Sequence, residues 1–376
     1  MHGGCKFSTM FGEYEKTVES ILALYKDFLN EHHEFYIFGT KVAGQKIFTQ
    51  FSSAGYKVSG FIDNNKSIQG TKLFDKNIFA LDELDDKKED VVIVIASINY
   101  CYEIYSQLKR EGYKKIVPIY ILNLWQKDIF PPEAAFDGLI GDYIVNKLHY
   151  EKLYNALKDE YSKHILNEII KFRQTYDVEI YSKINSPIDQ YFDEMVKLKE
   201  DEVFVDGGAF DGDTVKRFLK YSGGKYQKIY FFEPDPQAFL QAKENLKDLQ
   251  NIEFFQKGLS DCGKNLMFDS RGDFGSLFCD CGDLKIECCA LDDVVSEEKA
   301  LIKLDIEGFE LDCLKGARRL IQRGSTLVIC VYHKPSDIWE IFEYISLINP
   351  NYDFYLRHYT TNIFETVLYA IPRKEK

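Results

Sequence analysis

The chain has 376 residues, of which 45% are hydrophobic and 28% charged, a balance that suits about two folded domains and excludes wholesale disorder. Sixty acidic residues against 47 basic ones give a formal net charge of −13, and no basic run interrupts it, so we expect no nucleic-acid partner. No stretch approaches the roughly 18 apolar residues of a membrane span, no secretory signal is recognisable, and the nine cysteines are scattered. We therefore predict a cytoplasmic protein with reduced thiols and no membrane span.

Short apolar strands alternate with turns and helices in the first third of the chain. Strands are predicted at residues 34–38, 57–62, 91–96 and 115–118. This alternation is typical of a parallel α/β sheet, and we assign residues 1–130 to a small Rossmann-like domain. The turn from Gly39 to Gly44 is a nucleotide signal, and the strand-end acid Asp63 would bind the ribose. A tight turn without a ligand explains the same pattern equally well, because the second glycine of G-x-G-x-x-G is missing.

A helical connector is predicted at residues 131–200, which are polar, rich in Tyr and Lys, and lack strand-like alternation. Residues 201–376 then return to the order of strand, turn and helix. Strands are predicted there at 203–205, 228–232, 252–256, 301–304 and 327–331. The segments 352–357 and 365–371 leave no room for a helix between them and should pair as an antiparallel hairpin. The predicted fold class is α/β, with a parallel sheet that ends in this hairpin, preceded by the connector and the smaller α/β domain.

An acidic glycine turn follows the first strand of the second domain. Asp206 stands directly before Gly207 and Gly208, and Asp213 and Thr214 open the next helix. The glycines let a ligand approach the backbone, and the helix offers unpaired N–H groups. The order differs from the G-x-G-x-x-G dinucleotide fingerprint, and carboxylates here would repel a pyrophosphate but suit a sulfonium ion. The turn therefore favours S-adenosylmethionine over NAD.

Glu233 ends the next strand, at the edge of the sheet where open α/β proteins bind ligands. A carboxylate there can accept both hydroxyl groups of an adenosine ribose, although a solvated strand-end acid is the alternative. Gly258 and Asp261 would border the adenine. The full set of predicted cofactor-binding residues is Asp206, Gly207, Gly208, Phe210, Asp213, Thr214, Glu233, Pro234, Gly258 and Asp305.

Two further strand ends carry charged side chains. Lys303, Asp305 and Glu307 lie in and after one strand, and His333 follows the next. Charged residues are rarely buried unless paired, so this pattern favours a catalytic site, with a structural ion pair of Lys303 as the alternative. We predict His333 as the general base that deprotonates an acceptor hydroxyl, with Asp305, Glu307 and Lys303 as the other catalytic residues. The alternative is a structural, hydrogen-bonded histidine.

A divalent metal is a further prediction for the same region. Carboxylates and imidazoles are metal ligands, and a bound metal would hold a sugar diol and lower the pKa of its hydroxyl. The predicted ligands, whose spacing matches no metal motif, are Asp305, Glu307, His333 and His358. A zinc site among four clustered cysteines is disfavoured because C-x-C followed by C-C is a poor match to zinc ribbons. These cysteines are Cys279, Cys281, Cys288 and Cys289.

These motifs resemble the FkbM family of S-adenosylmethionine-dependent O-methyltransferases over roughly residues 200–371. DGGAFDGDT at 206–214 looks like the family's D-x-G-A-x-x-G-D-T cofactor turn, and FEP at 232–234 looks like its ribose-binding E-P. IKLDIEGFE at 302–310 is similar to its I-K-x-D-x-E-G-x-E signature. The sequence departs where the family often has asparagine in the cofactor turn. The first domain resembles the small Rossmann-like domain that precedes some nucleotide-sugar-modifying enzymes.

The resemblance implies an O-methyltransferase that uses S-adenosylmethionine and acts on a sugar hydroxyl. The acceptor would be a small molecule, a nucleotide sugar or a precursor of a surface polysaccharide such as capsule or lipopolysaccharide. A homo-oligomer is compatible with this reading. One alternative is an NAD-dependent sugar oxidoreductase, which Asp206 and the terminal hairpin disfavour. The other is a non-catalytic scaffold that binds nucleotide sugars.

Overall fold

The computed structural model describes residues 3–30, 34–132, 136–269, 277–278 and 284–373. Contacts within the chain separate two compact units. Unit 1 comprises Met1–Lys147, Asn167–Asn185 and Thr360–Ile363, and unit 2 comprises Leu148–Leu166, Ser186–Tyr359 and Phe364–Lys376. Cys279 and Cys281, which entered the zinc argument, lie outside the described residues. Within the described parts of the chain, none of the helices combines the length and hydropathy that crossing a membrane requires.

Unit 1 is built on a six-stranded sheet. Its strands are β1 (Glu34–Phe38), β2 (Lys57–Ile62), β3 (Lys72–Leu73), β4 (Lys76–Phe79), β5 (Val92–Ile95) and β6 (Lys115–Pro118). Its helices are α1 (Gly3–Leu22), α2 (Val42–Ser53), α3 (Cys101–Arg110), α4 (Ile119–Trp125) and α5 (Leu139–Val145), with a 3-10 helix at Leu81–Lys87. The strand order is β3-β4-β2-β1-β5-β6, and every pair except β3–β4 is parallel.

The predicted helical connector, residues 131–200, contains α5 as well as α6 (Lys147–Ala156) and α7 (Glu160–Thr175), followed by a 3-10 helix at Tyr181–Lys183. The last residues of the connector form an irregular segment, which runs from residue 184 to residue 202, instead of a helix. The apolar spacing of α7 predicts its helical form, whereas residues 184–202 contain one proline, Pro187, and several Asp and Lys residues.

Unit 2 contains the longer sheet and a small second one. Its strands are β7 (Val203–Gly207), β8 (Lys228–Phe232), β9 (Ile252–Phe255), β10 (Gly258–Leu259), β11 (Lys264–Asp269), β12 (Leu277–Phe278), β13 (Leu284–Cys289), β14 (Leu301–Leu304), β15 (Thr326–Cys330), β16 (Tyr352–His358) and β17 (Thr366–Pro372). Its helices after α7 are α8 (Asp213–Ser222), α9 (Pro236–Asn245), α10 (Leu291–Val294), α11 (Glu310–Lys315), α12 (Arg318–Gln322) and α13 (Asp337–Ile348).

The main sheet of unit 2 has the strand order β16-β17-β15-β14-β7-β8-β9. Strands β7, β8, β9, β14 and β15 are parallel, whereas β17 pairs antiparallel with both β15 and β16. The predicted fold class, including the terminal hairpin, is therefore confirmed. The central strands are buried along their whole length, which explains why they read as continuous apolar runs. The carboxyl ends of β7, β8, β14 and β15 share one edge and place their following residues together.

The small sheet, β10-β13-β11-β12, was not anticipated as a unit. Its strands are two to six residues long, and several are too short for alternation to be visible in the sequence. Cys288 and Cys289, two of the clustered cysteines, lie in β13 and are buried.

Candidate active site

A buried ion pair lies beneath the glycine turn. The register of β7 and β14 sets Asp206 beside Lys303, and both side chains are inaccessible to solvent. Lys303 Nζ lies 3.1 Å from Asp206 Oδ1 and donates to the carbonyl oxygens of Gly207 at 3.1 Å and Gly208 at 2.7 Å. Burial raises the pKa of Asp206 to about 6, although Lys303 opposes the rise. Lys303 thus forms the ion pair that was the structural alternative, and the same side chain also holds the predicted cofactor turn in place.

Gly208 is required by the close approach of two strand-end turns. Its φ of +69° is in the left-handed region, and a Cβ there would lie 1.8 Å from the carbonyl oxygen of Asp305. Gly207 is packed between the side chains of Leu259 and Leu304. The predicted residue Gly258 lies in β10, directly before Leu259, and so comes near the turn through its neighbour.

Glu233 joins the end of β8 to the same turn. Its Oε2 accepts from the backbone N–H of Phe210 at 2.8 Å, and its Oε1 accepts from the N–H of Asp235 at 2.8 Å. Burial raises the pKa of Glu233 despite these two hydrogen bonds. Phe210 adopts a φ of +45° and leaves its ring exposed, and Pro234 is partly buried. Each carboxylate oxygen of Glu233 can still accept one more donor, as a ribose would supply.

The other predicted cofactor residues lie at the start of α8 and beyond β10. Thr214 is buried in the first turn of α8, while Asp213 is exposed and lies 3.3 Å from Arg217. Asp261 pairs with Lys264 at 2.8 Å on the surface of the small sheet. The structure therefore brings together the residues of the glycine turn and Glu233, and leaves Asp261 with a partner of its own.

Asp305 is the centre of a second group of polar side chains. Its Oδ1 accepts from Tyr332 Oη at 2.9 Å and its Oδ2 from Tyr191 Oη at 3.0 Å. His333 Nε2 lies 3.5 Å from Oδ1. Burial alone would raise the pKa of Asp305, but Lys303 and His333 outweigh it and lower this pKa. Asp305 is therefore an anion that two phenols and two cations hold in place.

His333 is enclosed by carboxylates. Its Nδ1 lies 3.0 Å from Glu310 Oε1, without hydrogen-bond geometry, and its Nε2 lies 3.5 Å from Glu307 Oε2. Burial disfavours the charged ring, but Glu310, Asp305 and Glu307 outweigh it and raise the pKa of His333 to about 10. The ring is protonated at neutral pH. This protonation does not suit the predicted role of His333 as general base, which requires a neutral imidazole.

Glu307 is the most open of the three carboxylates around His333. Its side chain is 37% exposed, against 23% for Asp305 and none for Glu310. Burial raises the pKa of Glu307 to about 7, although His333 opposes the rise. Its φ of +55° places it in the left-handed turn that also contains Gly308. A carboxylate that titrates near neutral pH and remains accessible is suited to accept a proton.

Glu310 was missed as a site residue, although it closes the IKLDIEGFE segment. It is fully buried at the start of α11, and its Oε1 also accepts from the backbone N–H of Ile306 at 2.8 Å. Tyr191 and Tyr332 were missed too, because a tyrosine among 25 gives no signal by itself. The available clue to Glu310 was its place as the last acid of that segment.

The predicted metal ligands do not all come together. His358 is buried in the hairpin, with Nδ1 2.9 Å from Thr366 Oγ1. Among the described residues, two groups offer three ligand atoms within 4.8 Å of one another, and His358 and Glu307 belong to neither. The groups are Asp305, Glu310 and His333, and Asp305, Cys330 and Glu365. A protonated imidazole is not a metal ligand, so a metal at the first group would have to displace the proton of His333.

Residues 206–356 match the family described as methyltransferase FkbM domain, and residues 32–118 match C2185-like, N-terminal. The 2-O-methyltransferase NoeI of Sinorhizobium fredii is 26% identical over 167 residues, which cover 38% of this chain and 67% of the relative. The crystal structure of methyltransferase FkbM from Methylobacillus flagellatus is similar with a TM-score of 0.75 and 22% identity, over 97% of this chain and 99% of the other. The last likeness is one of fold.

Proposed function

Because residues 206–356 form a methyltransferase FkbM domain, we propose that the protein transfers a methyl group from S-adenosylmethionine to a sugar hydroxyl. The observation that carries the proposal is the joining of two strand-end carboxyl groups, Asp206 and Glu233, to one glycine turn. The acceptor would be a nucleotide sugar or a surface-polysaccharide precursor. The name of the relative NoeI describes transfer to an oxygen numbered 2, which is compatible with a ring hydroxyl.

The residues present fit S-adenosylmethionine. Within the described residues, the two buried carboxylate oxygens of Asp206 accept no hydrogen bond, although Lys303 neutralises part of their charge. A buried acid with spare acceptor capacity suits an ammonium or sulfonium group, and Glu233 suits the ribose hydroxyls. When bound, the cofactor supplies a methyl group on a positively charged sulfur, which is a good leaving group. The chain itself has to align the acceptor oxygen and remove its proton.

We assign the proton acceptor to Glu307 instead of His333. A base is most effective when its pKa is near the working pH, and carboxylates tuned toward 7 meet that condition. Protonated His333 lies 3.5 Å from both Glu307 and Asp305, so it fixes the position of the base and balances its charge after proton transfer. Lys303 donates to the carbonyl oxygens of Gly207 and Gly208 and so fixes the turn that would face the cofactor.

The test is a methyl-transfer assay with a panel of nucleotide sugars and isotopically labelled S-adenosylmethionine, read by mass spectrometry. We expect a singly methylated sugar and S-adenosylhomocysteine in equal amounts. Glu307→Gln should remove most turnover, whereas the surface control Glu298→Gln should not. Absence of labelled product from every sugar would overturn the acceptor class. NADH formation with the same sugars would favour the oxidoreductase, and sugar binding without turnover would favour the scaffold.

A cytoplasmic location, a homo-oligomeric state and nucleotide-sugar binding by unit 1 stay predictions. For unit 1, the relevant contact is that of Asp63, whose Oδ2 accepts from Thr40 Oγ1 at 2.7 Å. This contact fixes the turn after β1 but does not indicate which ligand, if any, the turn binds.

A further inference from the structure

Tyr191 enters the strand-end region of unit 2 from the irregular segment before β7. Its side chain is buried, and its backbone has a φ of +74°, which is a genuine outlier for a bulky residue. The Tyr191 N–H donates to Tyr369 Oη at 3.0 Å, on the buried strand β17. Such strained residues persist where the surrounding structure determines them, and they cluster at functional sites.

The phenol of Tyr191 contacts the two charged side chains on which the site depends. Its hydroxyl donates to Asp305 Oδ2 at 3.0 Å, while Tyr332 occupies Oδ1. Its ring centroid lies 5.4 Å from Lys303 Nζ and 5.4 Å from the guanidinium carbon of Arg217, both within the range of cation–π attraction. One side chain thus touches the acid that holds His333 and the cation that holds the cofactor turn.

We propose that Tyr191 is a positioning residue for methyl transfer, which holds the Asp305 carboxylate against His333 and Lys303 against the glycine turn. The proposal rests on the proposed function, because Asp305 and His333 act by placing Glu307. Tyr191 reaches the reaction only through these residues. Its hydroxyl fixes one oxygen of Asp305, Asp305 and Glu310 fix His333, and His333 fixes the base.

Removal of the hydroxyl has a definite chemical consequence. Without Tyr191 Oη, the buried Oδ2 of Asp305 loses a donor, and a carboxylate that loses donors is easier to protonate. The groups that face Asp305 are then Lys303, His333, Tyr332, Glu365 and the Cys330 thiol, whose pKa burial raises. Tyr191→Phe keeps the ring and its packing, so it isolates this hydrogen bond.

The experiment compares Tyr191→Phe with Tyr230→Phe, whose buried ring also loses a hydroxyl bonded to a carboxylate, that of Glu297 at 2.7 Å. For each we would measure kcat and KM across pH, the Kd of S-adenosylhomocysteine and the melting temperature. We expect kcat of Tyr191→Phe to fall about 10- to 100-fold, as for a hydrogen bond to a charged group. The acid limb of its pH profile should move to higher pH, with KM for S-adenosylmethionine little changed. Tyr230→Phe should keep the wild-type kcat and profile.

A double-mutant cycle separates positioning from packing. In an Asp305→Ala background, the Tyr191→Phe effect on kcat should largely vanish, because the acceptor it served is gone. Should Tyr191→Phe fold poorly, 3-fluorotyrosine at position 191 keeps the shape and strengthens donation, and should move the acid limb to lower pH. An unchanged profile in both variants, or equal loss in both backgrounds, would overturn the proposal while the wild type stays active. A wild type without methyl transfer would instead overturn the proposed function.

Discussion

The turn after β1 in unit 1 and the turn after β7 in unit 2 have the same pattern of backbone hydrogen bonds. Gly39 N donates to the carbonyl of Ile62 at the end of β2 at 2.8 Å, and Gly208 N donates to the carbonyl of Phe232 at the end of β8 at 3.1 Å. Both glycines have a positive φ, +113° and +69°. Strand, turn and helix are therefore joined in the same way in the two units.

The acids that follow the second strand also correspond. Asp63 Oδ2 accepts from the N–H of Thr40 at 3.2 Å, as Glu233 Oε2 accepts from the N–H of Phe210 at 2.8 Å. In each unit the acid connects the end of one strand to the turn after its neighbour. A strand-end acid is thus explained by turn geometry alone and is not sufficient evidence for a ligand.

The units differ at the strand positions beside the turn. The register of β1 and β5 pairs Ile37 with Val94, whereas that of β7 and β14 pairs Asp206 with Lys303. The sheet of unit 1 forms with two aliphatic side chains at this position, so the buried charges of unit 2 are not a requirement of the fold. Because a buried ion pair is often no more stable than an apolar pair, its presence points to the chemistry of the site.

The largest expected effect concerns Glu307, the proposed base in unit 2. Glu307 faces His333, Asp305, Glu310 and Glu365, and its pKa is raised to about 7. Since the base must be deprotonated, kcat/KM should rise about tenfold per pH unit below 7 and level off above it. Glu307→Gln should lower kcat about 10²- to 10⁴-fold and abolish this limb. A Gln variant that keeps the limb would return the role to another group.

Exchange of the charged pair for the aliphatic one of unit 1 should separate stability from function. Lys303→Val alone leaves Asp206 buried without its partner and should lower the free energy of unfolding by about 3–5 kcal/mol. Adding Asp206→Ile should recover most of that loss in urea denaturation. Binding of S-adenosylhomocysteine should not recover. Recovery of both properties would show that the charges have no role in the site.

Removal of the two corresponding acids should affect cofactor binding in one unit only. Glu233→Ala should raise the Kd of S-adenosylhomocysteine about 10- to 100-fold, because it removes acceptors for the ribose and a support of the turn. Asp63→Ala removes the matching support in unit 1 and should leave that Kd unchanged in calorimetry. Equal effects of the two variants would mean that the loss is one of folding.

The smallest expected effect is that of metal removal. Because His333 is protonated and ion-paired, the group Asp305, Glu310 and His333 does not require a metal for charge balance. Dialysis against EDTA should therefore leave kcat unchanged when assayed without added metal. A loss that Mn²⁺ restores would reinstate the predicted metal, with Glu310 among its ligands in place of His358.

Much of the fold follows from local pattern. The strands Lys57–Ile62, Lys115–Pro118, Lys228–Phe232 and Leu301–Leu304 have the predicted bounds, because buried parallel strands are continuous apolar runs between turn residues. The terminal hairpin followed from the shortness of its connection. The small sheet of unit 2 did not, since its short strands are specified by pairing with distant segments and not by local alternation.

The site was predictable by residue type but not by charge state. Their positions at strand ends predicted the site residues Asp206, Glu233, Asp305 and His333, because a parallel sheet brings such ends together. The protonation of His333 depends on Glu310, whose position relative to the ring is fixed only when α11 and the end of β15 are packed. Tyr191 could not be predicted, because its contacts depend on an irregular segment with a left-handed residue.

The most direct test of the central claim is calorimetric titration of the wild-type protein with S-adenosylhomocysteine and, separately, with NAD. We expect saturable binding of one S-adenosylhomocysteine per chain and no measurable heat with NAD, because carboxylates in the turn after β7 repel a pyrophosphate. Saturable binding of NAD, or no binding of S-adenosylhomocysteine, would contradict it.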